Sequence, residues 1–260
     1  MNEQKKVAII TGSATGVGAA TAQQLASLGW NVVINYTRSQ QEAEETVARC
    51  QQEGAETLMV QADVSEDAAC QRMVAATLEK WGRIDALVNN AGMTKYCEYA
   101  NLDGLQMQDF QRIYAVNVVG AFQMARAVVP YMKQAGEGTI VNTSSISALT
   151  GIGSSIAYAA SKGAMNTLTL SLAQTLGPEI RVNAVCPGFI QGRWIRNGLG
   201  EERYEALRQA IESVSPLQRT ATPEEVADAI VFFIVGGKIA NAQLLVLDGG
   251  YHLNQRPPGL

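Results

Sequence analysis

Two residues that could do acid–base chemistry, Tyr158 and Lys162, lie four positions apart in a predicted helix, Ala157–Leu176. Residues at this spacing project from one helical face, so we expect the phenol and the ammonium group to be neighbours. A free tyrosine has a pKa of about 10, and a nearby cation favours the phenolate and lowers that pKa. A phenol tuned toward neutral pH can donate a proton in one direction of a reaction and accept it in the other.

A serine hydroxyl is expected close to this pair. Ser145 lies 13 residues before Tyr158, at the end of the predicted strand Gly138–Thr143. A hydroxyl at the carboxyl end of a parallel strand faces the ligand crevice and can donate to an oxygen on which charge develops. Ser144 and Ser147 compete for the same role, and position alone leaves the three serines open.

A loop of small residues, Thr11–Gly18, follows the first predicted strand and opens the first predicted helix. Small residues let the backbone turn tightly and approach a pyrophosphate, whose charge the free N–H groups of a helix start attract. A structural turn that needs glycine is the alternative. The loop predicts a dinucleotide site formed by Gly12, Ala14, Thr15, Gly16, Val17 and Gly18.

The end of the second predicted strand is expected to select the cofactor. NAD sites usually carry an acid there, which binds the ribose hydroxyls. Here Tyr36 ends the strand, Arg38 and Ser39 follow, and the first acid is Glu42. A guanidinium group offers a fixed charge and a fork of donors suited to phosphate. We therefore predict NADPH or NADP+ in preference to NADH, with Tyr36, Arg38 and Ser39 as contacts; a solvated loop charge is the alternative for Arg38.

Near-continuous apolar segments alternate with helical segments along the whole chain, which is typical of strands buried on both faces of a parallel sheet. The predicted strands are Val7–Thr11, Asn31–Tyr36, Thr57–Gln61, Ala86–Asn89, Gly138–Thr143, Arg181–Cys186 and Gln243–Leu247. The predicted helices are Gly16–Leu28, Gln40–Gln52, Asp67–Trp81, Leu105–Gln134, Ala157–Leu176 and Pro223–Val235. This order predicts an α/β fold: a single doubly wound Rossmann-type domain over residues 1–260, with a seven-stranded parallel sheet and helices on both faces.

The composition excludes several classes of protein. The chain has 260 residues, 47% hydrophobic and 17% charged, which excludes a disordered or collagen-like chain. A net charge of -4 gives no electrostatic footprint for nucleic acid or a membrane surface, and the longest apolar run, Ala229–Val235, is too short to span a bilayer. Four scattered cysteines and one histidine predict no metal site. The start of the chain has no secretory pattern, so we expect a cytoplasmic protein.

Further motifs follow in a characteristic order along nearly the whole chain. They are Asp63-Val64, Asn89 to Gly92, Asn117, Ser144-Ser145, Tyr158-x-x-x-Lys162, Pro187-Gly188 and Asp248 to Gly250. Together with the glycine loop, they resemble the short-chain dehydrogenase/reductase family, in its subfamily of about 250 residues. The resemblance is strongest to 3-oxoacyl-carrier-protein reductases, through Asn35, Tyr36 and Arg38 and through the segment from Pro187 to Ile190.

The resemblance implies a role for each matching residue. Tyr158 would be the general acid in reduction and the base in oxidation, and Ser145, which matches the family spacing better than Ser144, would hold the substrate oxygen. Lys162 would bind the nicotinamide ribose and depress the tyrosine pKa, and Asn117 would hold a water that links Lys162 to solvent. The remaining cofactor contacts implied are Asp63 and Val64 at the adenine, Asn90, Ala91 and Gly92 at the ribose, and Pro187, Gly188 and Ile190 beside the nicotinamide.

The implied reaction is hydride transfer between the nicotinamide of NADP(H) and a small-molecule ketone or secondary alcohol. Reduction of a 3-oxoacyl thioester on a carrier protein is an alternative, although Lys95, Arg193 and Arg196 are the only obvious cations beside the cleft. A non-catalytic protein that senses the cofactor and a nucleotide-sugar epimerase or dehydratase are further alternatives. The resemblance also implies a homotetramer formed through the two long helices and the last helix and strand, with the tail Tyr251 to Leu260 able to reach a neighbour.

The chain departs from the family pattern after the sixth strand. Gly192 stands where the family often has a threonine that reaches the cofactor, and Arg193 follows it as a possible replacement. Residues 189–215 are predicted to form a lid with one short amphipathic helix, in which Trp194, Ile195 and Leu199 close on the substrate. An ordinary surface excursion is the alternative for this segment.

Overall fold

Seven parallel strands form one sheet in the computed structural model, which describes residues 4–253. The strands are β1 (Val7–Ile10), β2 (Asn31–Tyr36), β3 (Thr57–Gln61), β4 (Ala86–Asn89), β5 (Gly138–Thr143), β6 (Ile180–Pro187) and β7 (Leu244–Leu247). Their order across the sheet is β3-β2-β1-β4-β5-β6-β7, and every neighbouring pair is parallel. The predicted α/β fold with a doubly wound parallel sheet is confirmed.

The strand ends differ from the predicted bounds by one residue at three strands. Strand β1 stops at Ile10 because Thr11 already belongs to the turn of the glycine loop. Strand β6 is longer than predicted at both ends, whereas β7 starts one residue later. Every residue of β1, β2 and β4 is buried, which explains why these segments are almost wholly apolar.

Two layers of helices cover the sheet. The helices are α1 (Gly16–Ser27), α2 (Gln40–Gln52), α3 (Asp67–Trp81), α4 (Met107–Tyr114), α5 (Ala121–Ala135), α6 (Ser147–Thr150), α7 (Ile156–Leu176), α8 (Arg193–Leu199), α9 (Glu201–Val214) and α10 (Pro223–Val235). One face packs against α1, α2 and α10, and the other against α3, α5 and α7. Local signals set several ends: Gly29 follows α1 with a φ of +84°, and Thr222 and Glu225 form a capping box at the start of α10.

The predicted helix Leu105–Gln134 is wrong at its start and in its interior. The helix begins at Met107, where Gln106 and Asp109 form a capping box. Between α4 and α5 the backbone forms a π-helical segment, Ala115–Gly120, which periodicity in the sequence does not reveal. The continuous helix Met107–Ala135 is long and apolar enough to span a bilayer by length and composition, but half of its most apolar window is buried inside the molecule.

The sheet topology places the ligand crevice. Chain order reverses between β1 and β4, because β1 continues to β2 on one side while β4 and β5 lie on the other. Ligands in open α/β sheets bind outside the carboxyl ends of the strands at such a point. The loops that leave β1, β4, β5 and β6 therefore meet at one edge of the sheet.

Candidate active site and cofactor cleft

The glycine loop turns sharply at the end of β1 and lies against the loop that follows β4. Gly12 has a φ of +61°, and a Cβ there would lie 2.9 Å from the Ala91 Cα. A Cβ at Gly18 would lie 2.6 Å from the carbonyl oxygen of Gly12, so side chains are excluded at both positions. Helix α1 begins at Gly16, and its first N–H groups present positive charge at this turn. The loop fits a pyrophosphate.

Hydrogen bonds fix the glycine loop to its neighbours. The Asn35 Oδ1 accepts from the Gly12 N–H at 2.9 Å, and the Ser13 Oγ accepts from the Asn35 N–H at 2.9 Å. The Asn90 Nδ2 donates to the carbonyl oxygens of Thr11 and Gly12, both at 3.0 Å. Asn35 was missed as a positioning residue, although a polar residue inside an otherwise apolar strand could have revealed it. Asn90 was predicted at the ribose, but its side-chain N–H groups donate to the glycine loop.

A cavity of about 570 Å³ opens at the carboxyl ends of β2 and β3. Arg38 and Asp63 line it as predicted for the adenosine end of the cofactor, and Arg72 of α3 adds a second guanidinium group. Arg72 was missed because an exposed arginine on a helix carries no sequence signal of its own. The Asp63 Oδ1 already accepts from the N–H and hydroxyl of Ser65, at 2.9 and 2.7 Å. The role of Asp63 at the adenine remains a prediction.

Two other predicted cofactor residues are largely covered by protein. The Tyr36 side chain is buried in the core cluster beside α1 and α2, so little of it is available to a cofactor. Val64 is buried under the π-helical segment, and a Cβ at Gly120 would lie 2.7 Å from the Val64 Cγ2. The carbonyl of Val64 also accepts from the Gln123 Nε2 at 2.7 Å. Val64, which was predicted at the adenine, therefore packs against the π-helical segment and α5.

Tyr158 and Lys162 share one face of α7, as their spacing predicted. Ser155 caps this helix by accepting from the Tyr158 N–H at 3.2 Å, which places the tyrosine in the first turn. The Lys162 Nζ donates to the Thr143 carbonyl at 2.7 Å and lies 5.6 Å from the centre of the Tyr158 ring. Only 4% of Lys162 is exposed. The end of β5 thus anchors the ammonium group beside the phenol.

The structure separates the three candidate serines. The Ser145 hydroxyl lowers the pKa of the Tyr158 phenol, and it donates to the Ser147 Oγ at 3.0 Å. The Ser144 hydroxyl donates to the Asn166 Oδ1 at 2.6 Å, inside the buried side of α7. Ser145 is therefore the one of the three serines that acts on the tyrosine, while Ser144 joins α7 to the sheet.

Burial acts on both ionisable groups of the pair. It raises the pKa of Tyr158 to about 12, although Ser145 acts in the opposite direction, and it lowers the pKa of Lys162 to about 8. The expected depression of the tyrosine pKa by Lys162 is wrong for the protein alone. Removal of water disfavours the phenolate, and Lys162 is not among the groups that act on the pKa of Tyr158.

Asn117 lies in the π-helical segment and connects three parts of the site. Its Oδ1 accepts from the Met93 N–H at 2.8 Å, and its Nδ2 donates to the Met93 carbonyl and the Ser161 Oγ, both at 3.0 Å. The side chain thus joins the loop after β4 to α7. The predicted water that links Lys162 to solvent remains a prediction.

The loop after β6 is held against the last strand. The Gly188 N–H donates to the Leu247 carbonyl at 2.9 Å, and a Cβ at Gly188 would lie 2.7 Å from the Asp248 Cβ. Ile190 forms an isolated bridge with Ala221, and the Pro187 carbonyl accepts from the Ile146 N–H at 2.9 Å. These hydrogen bonds and packing contacts hold Pro187, Gly188 and Ile190, which were predicted beside the nicotinamide, next to the loop after β5 that carries Ser145.

The segment 189–215 forms two helices, α8 and α9, rather than the one short helix predicted. Helix α8 lies on the cleft: a Cβ at Gly92 would be 3.8 Å from the Trp194 Cη2, and a Cβ at Gly198 would be 1.9 Å from the Tyr96 Cε2. Repulsion between the two phenolates contributes to the raised pKa of Tyr158, so Tyr96 belongs to the surroundings of that tyrosine. Trp194 remains 48% exposed.

Known proteins match this chain over nearly its whole length. A protein-family model described as enoyl-(acyl carrier protein) reductase matches residues 12–252. A provisionally named ketoacyl reductase of the granaticin polyketide synthase of Streptomyces violaceoruber is 40% identical over 95% of this chain and 96% of its own. A solved structure from Burkholderia xenovorans, provisionally named a short-chain dehydrogenase/reductase, has a TM-score of 0.90 and 38% identity, covering 97% of this chain and all of that one. The chain belongs to the short-chain dehydrogenase/reductase family.

The family membership makes this protein an oxidoreductase that acts on alcohols or ketones with a nicotinamide cofactor. Another relative, the 2-(R)-hydroxypropyl-CoM dehydrogenase of Xanthobacter autotrophicus, is 38% identical over 95% of this chain and 98% of its own. The residues of this short-chain dehydrogenase/reductase fit such a cofactor, because Gly12 and Gly18 leave no room for side chains at the turn and the start of α1 favours an anion.

Proposed function

We propose that this short-chain dehydrogenase/reductase is an NADP(H)-dependent enzyme that interconverts a ketone and a secondary alcohol, with Tyr158 as the general acid and base. The observation that carries the proposal is the position of Tyr158: the Lys162 Nζ lies 5.6 Å from the centre of its ring, and Ser145 lowers the pKa of its phenol. When bound, the nicotinamide supplies or accepts the hydride. The protein supplies the proton and positions the oxygen that receives it.

The protonation states favour Tyr158 as a donor. With a pKa of about 12, the phenol of the free protein keeps its proton at neutral pH and can give it to a carbonyl oxygen. The Ser145 hydroxyl can donate a second hydrogen bond to the same oxygen as negative charge develops there. Lys162, with a pKa of about 8, carries a charge at neutral pH that stabilises the phenolate left behind.

The preference for NADP(H) rests on the residues that follow β2. Arg38 lines the adenosine cavity together with Arg72, and the first acid after the strand is Glu42 of α2. Two guanidinium groups suit the extra phosphate of NADP(H) better than two ribose hydroxyls. Side-by-side titrations with NADPH and NADH, followed by nicotinamide fluorescence, test this part: tighter binding of NADH would contradict it.

Charge pairing near the cleft favours a free small molecule as substrate. Lys95 pairs with Asp109 at 2.7 Å, Arg196 with Glu201 at 2.9 Å, and Arg193 with Glu42. These are the three cations that the sequence predicted beside the cleft, and each has an acidic partner within the protein. A 3-oxoacyl thioester on a carrier protein is the second candidate, because the family description and a relative's name mention carrier protein and ketoacyl chemistry.

The Tyr158→Phe variant tests the central assignment. We expect NADPH affinity to stay within about two-fold and turnover of ketones to fall by about 10²–10⁴-fold, the usual contribution of a general acid. Tyr131→Phe, on an exposed position of α5, is the matched control and should leave turnover unchanged. Unchanged turnover in Tyr158→Phe would remove that residue from the mechanism. Cofactor binding by the wild-type protein without turnover of any ketone or alcohol would favour a cofactor sensor.

A homotetramer is part of the proposal. The long helices expose Val119, Phe122 and Leu170, and the last helix and strand expose Phe232, Val235 and Leu245. Two such apolar faces on one subunit are typical of an assembly with two kinds of interface. The proposed reach of the tail to a neighbour falls mainly on residues 254–260, which lie outside the described residues.

A further inference from the structure

A side chain of the predicted lid reaches the opposite wall of the cofactor cleft. Arg193, the first residue of α8, donates from its Nη2 to the Ser39 Oγ at 3.1 Å, and its Nη1 forms an ion pair with the Glu42 carboxylate. Ser39 and Glu42 belong to the start of α2, more than 150 positions earlier in the chain. This contact therefore bridges the segment after β6 and the segment after β2.

The contact ends where the proposed function places the 2'-phosphate of NADP(H). Ser39 directly follows Arg38, and both were predicted from the sequence as the groups that bind this phosphate. Arg193 thus brings a further guanidinium group to the segment that was predicted to bind this phosphate. Its charge also matters, because Glu42 would otherwise present an uncompensated carboxylate to an incoming phosphate.

The ion pair stabilises the charged form of Glu42. The Arg193 hydrogen bond holds the pKa of the Glu42 carboxyl below its usual range. Arg193 is nearly half exposed, so its guanidinium group can turn from a carboxylate to a phosphate without breaking a buried contact. Phosphate is the stronger partner, because it carries more charge and more acceptor oxygens than a carboxylate.

We propose that Arg193 is a specificity-determining residue of the cofactor site: it binds the 2'-phosphate of NADP(H) together with Arg38 and Ser39, and Glu42 holds it in place before the cofactor binds. The inference rests on the proposed preference for NADP(H) and extends it to the lid. Trp194 and Gly198 of the same helix lie against the opposite part of the cleft. Binding of the phosphate by Arg193 therefore also fixes the position of α8.

The test uses two adenosine nucleotides that differ only in this phosphate and need no turnover. Calorimetry measures the affinity of the full-length protein for adenosine 2',5'-bisphosphate and for adenosine 5'-monophosphate. For Arg193→Gln we expect affinity for the bisphosphate to fall by about ten-fold or more, as for a lost charge-assisted hydrogen bond, with 5'-monophosphate affinity unchanged. Arg193→Lys should recover part of the loss, since it restores the charge without the fork of donors.

Two further variants sharpen the result. Glu42→Gln should bind the bisphosphate about two- to ten-fold more tightly, because it releases Arg193 and removes a repelling charge. Arg196→Gln is the matched control on the same helix: Arg196 pairs with Glu201 and stacks on Tyr204, so neither nucleotide should lose affinity.

Different failures have different meanings. An equal loss of both affinities in Arg193→Gln would overturn the inference, because the arginine would then contact a group that both nucleotides share. Unchanged affinities in a folded variant would overturn it as well. In either case a wild-type preference for the bisphosphate would leave the proposed NADP(H) preference standing. A wild-type protein that binds both nucleotides equally would overturn the proposed cofactor preference and the role of Arg193 together.

Discussion

Lys162 holds a charge where burial opposes it. Its side chain is almost fully buried, and its pKa falls to about 8 from an ordinary value of 10.5. The folded protein therefore binds the lysine proton less tightly than the unfolded chain does. Between about pH 8 and pH 10.5 the unfolded state holds more protons, so this residue makes stability rise with pH in that window. Below it, the buried charge destabilises the fold.

We predict that Lys162→Met is more stable than the wild-type protein at pH 7. The expected gain is about 1–3 kcal/mol in the free energy of unfolding, because the variant buries no charge. The gain should shrink as pH rises from 8 toward 10.5, and turnover should be largely lost. Urea unfolding of both proteins at pH 7 and pH 10 measures this. A variant that is less stable at pH 7 would contradict the prediction.

Truncation of the two neighbouring serines to alanine is expected to have different effects on turnover and stability. Ser145→Ala should lower the turnover number for ketone reduction by about 10²-fold with little change in stability, because it removes a donor to the substrate oxygen. Ser144→Ala should retain turnover and lose about 1–2 kcal/mol of stability, because the Asn166 amide oxygen loses its buried partner. Steady-state kinetics and urea unfolding distinguish them; the reverse pattern would exchange their roles.

At the scale of elements, α8 joins the parts of the site. It contacts α2 through Arg193, the loop after β4 through Trp194, and Tyr96 through Gly198. Gly192 and Gly200 flank it with φ values of +145° and +79°, backbone conformations that favour glycine. A short helix between two such glycines can change its orientation without disturbing the sheet, which is the behaviour expected of a lid.

We predict that Gly198→Ala impairs substrate binding. A Cβ at this position would lie 1.9 Å from the Tyr96 ring, so either the ring or the helix must move. The Michaelis constant for a ketone should rise by about ten-fold, as expected for about 1.4 kcal/mol of lost complementarity. In a Tyr96→Ala background the same substitution should cause no further loss, because the clash is gone. Steady-state kinetics of the four proteins measure this, and additive losses would contradict it.

At the scale of the whole molecule, the exposed apolar residues fall on two separate faces. One comprises Val119, Phe122 and Leu170 of the long helices, and the other comprises Phe232, Val235 and Leu245 of α10 and β7. The first face includes Leu170, which lies on the helix that carries Tyr158 and Lys162. Association through it would stabilise the helix on which the proposed chemistry depends.

We predict that the wild-type protein has four times the monomer mass in solution. Phe122→Lys and Phe232→Lys should each reduce it to a dimer, and the double variant to a monomer, because each substitution places a charge in one of the two apolar faces. Leu102→Lys, in an exposed turn that belongs to neither face, is the control. Light scattering coupled to gel filtration measures the mass. A monomeric wild-type protein would contradict the proposed assembly.

Local patterns were sufficient to predict the strands, most helices, the glycine loop and the shared face of Tyr158 and Lys162. Each of these follows from interactions over a few residues or from a period of two or 3.6 residues. The strand predictions held because β1, β2 and β4 are buried on both faces, which leaves an apolar run that is easily seen. The π-helical segment had no such signal in the sequence, and in the structure its last residue, Gly120, packs closely against Val64.

Packing between distant parts of the chain was needed for the rest. Ser145 rather than Ser144 reaches Tyr158 because β5 and α7 meet at one relative rotation. Arg193 meets Ser39 only because the crossovers bring the ends of β2 and β6 to the same edge of the sheet. Burial reverses the expected direction of the tyrosine pKa, and burial is a property of the folded molecule. Spacing along the chain identifies which residues can react, whereas their partners and charges depend on contacts that exist only after folding.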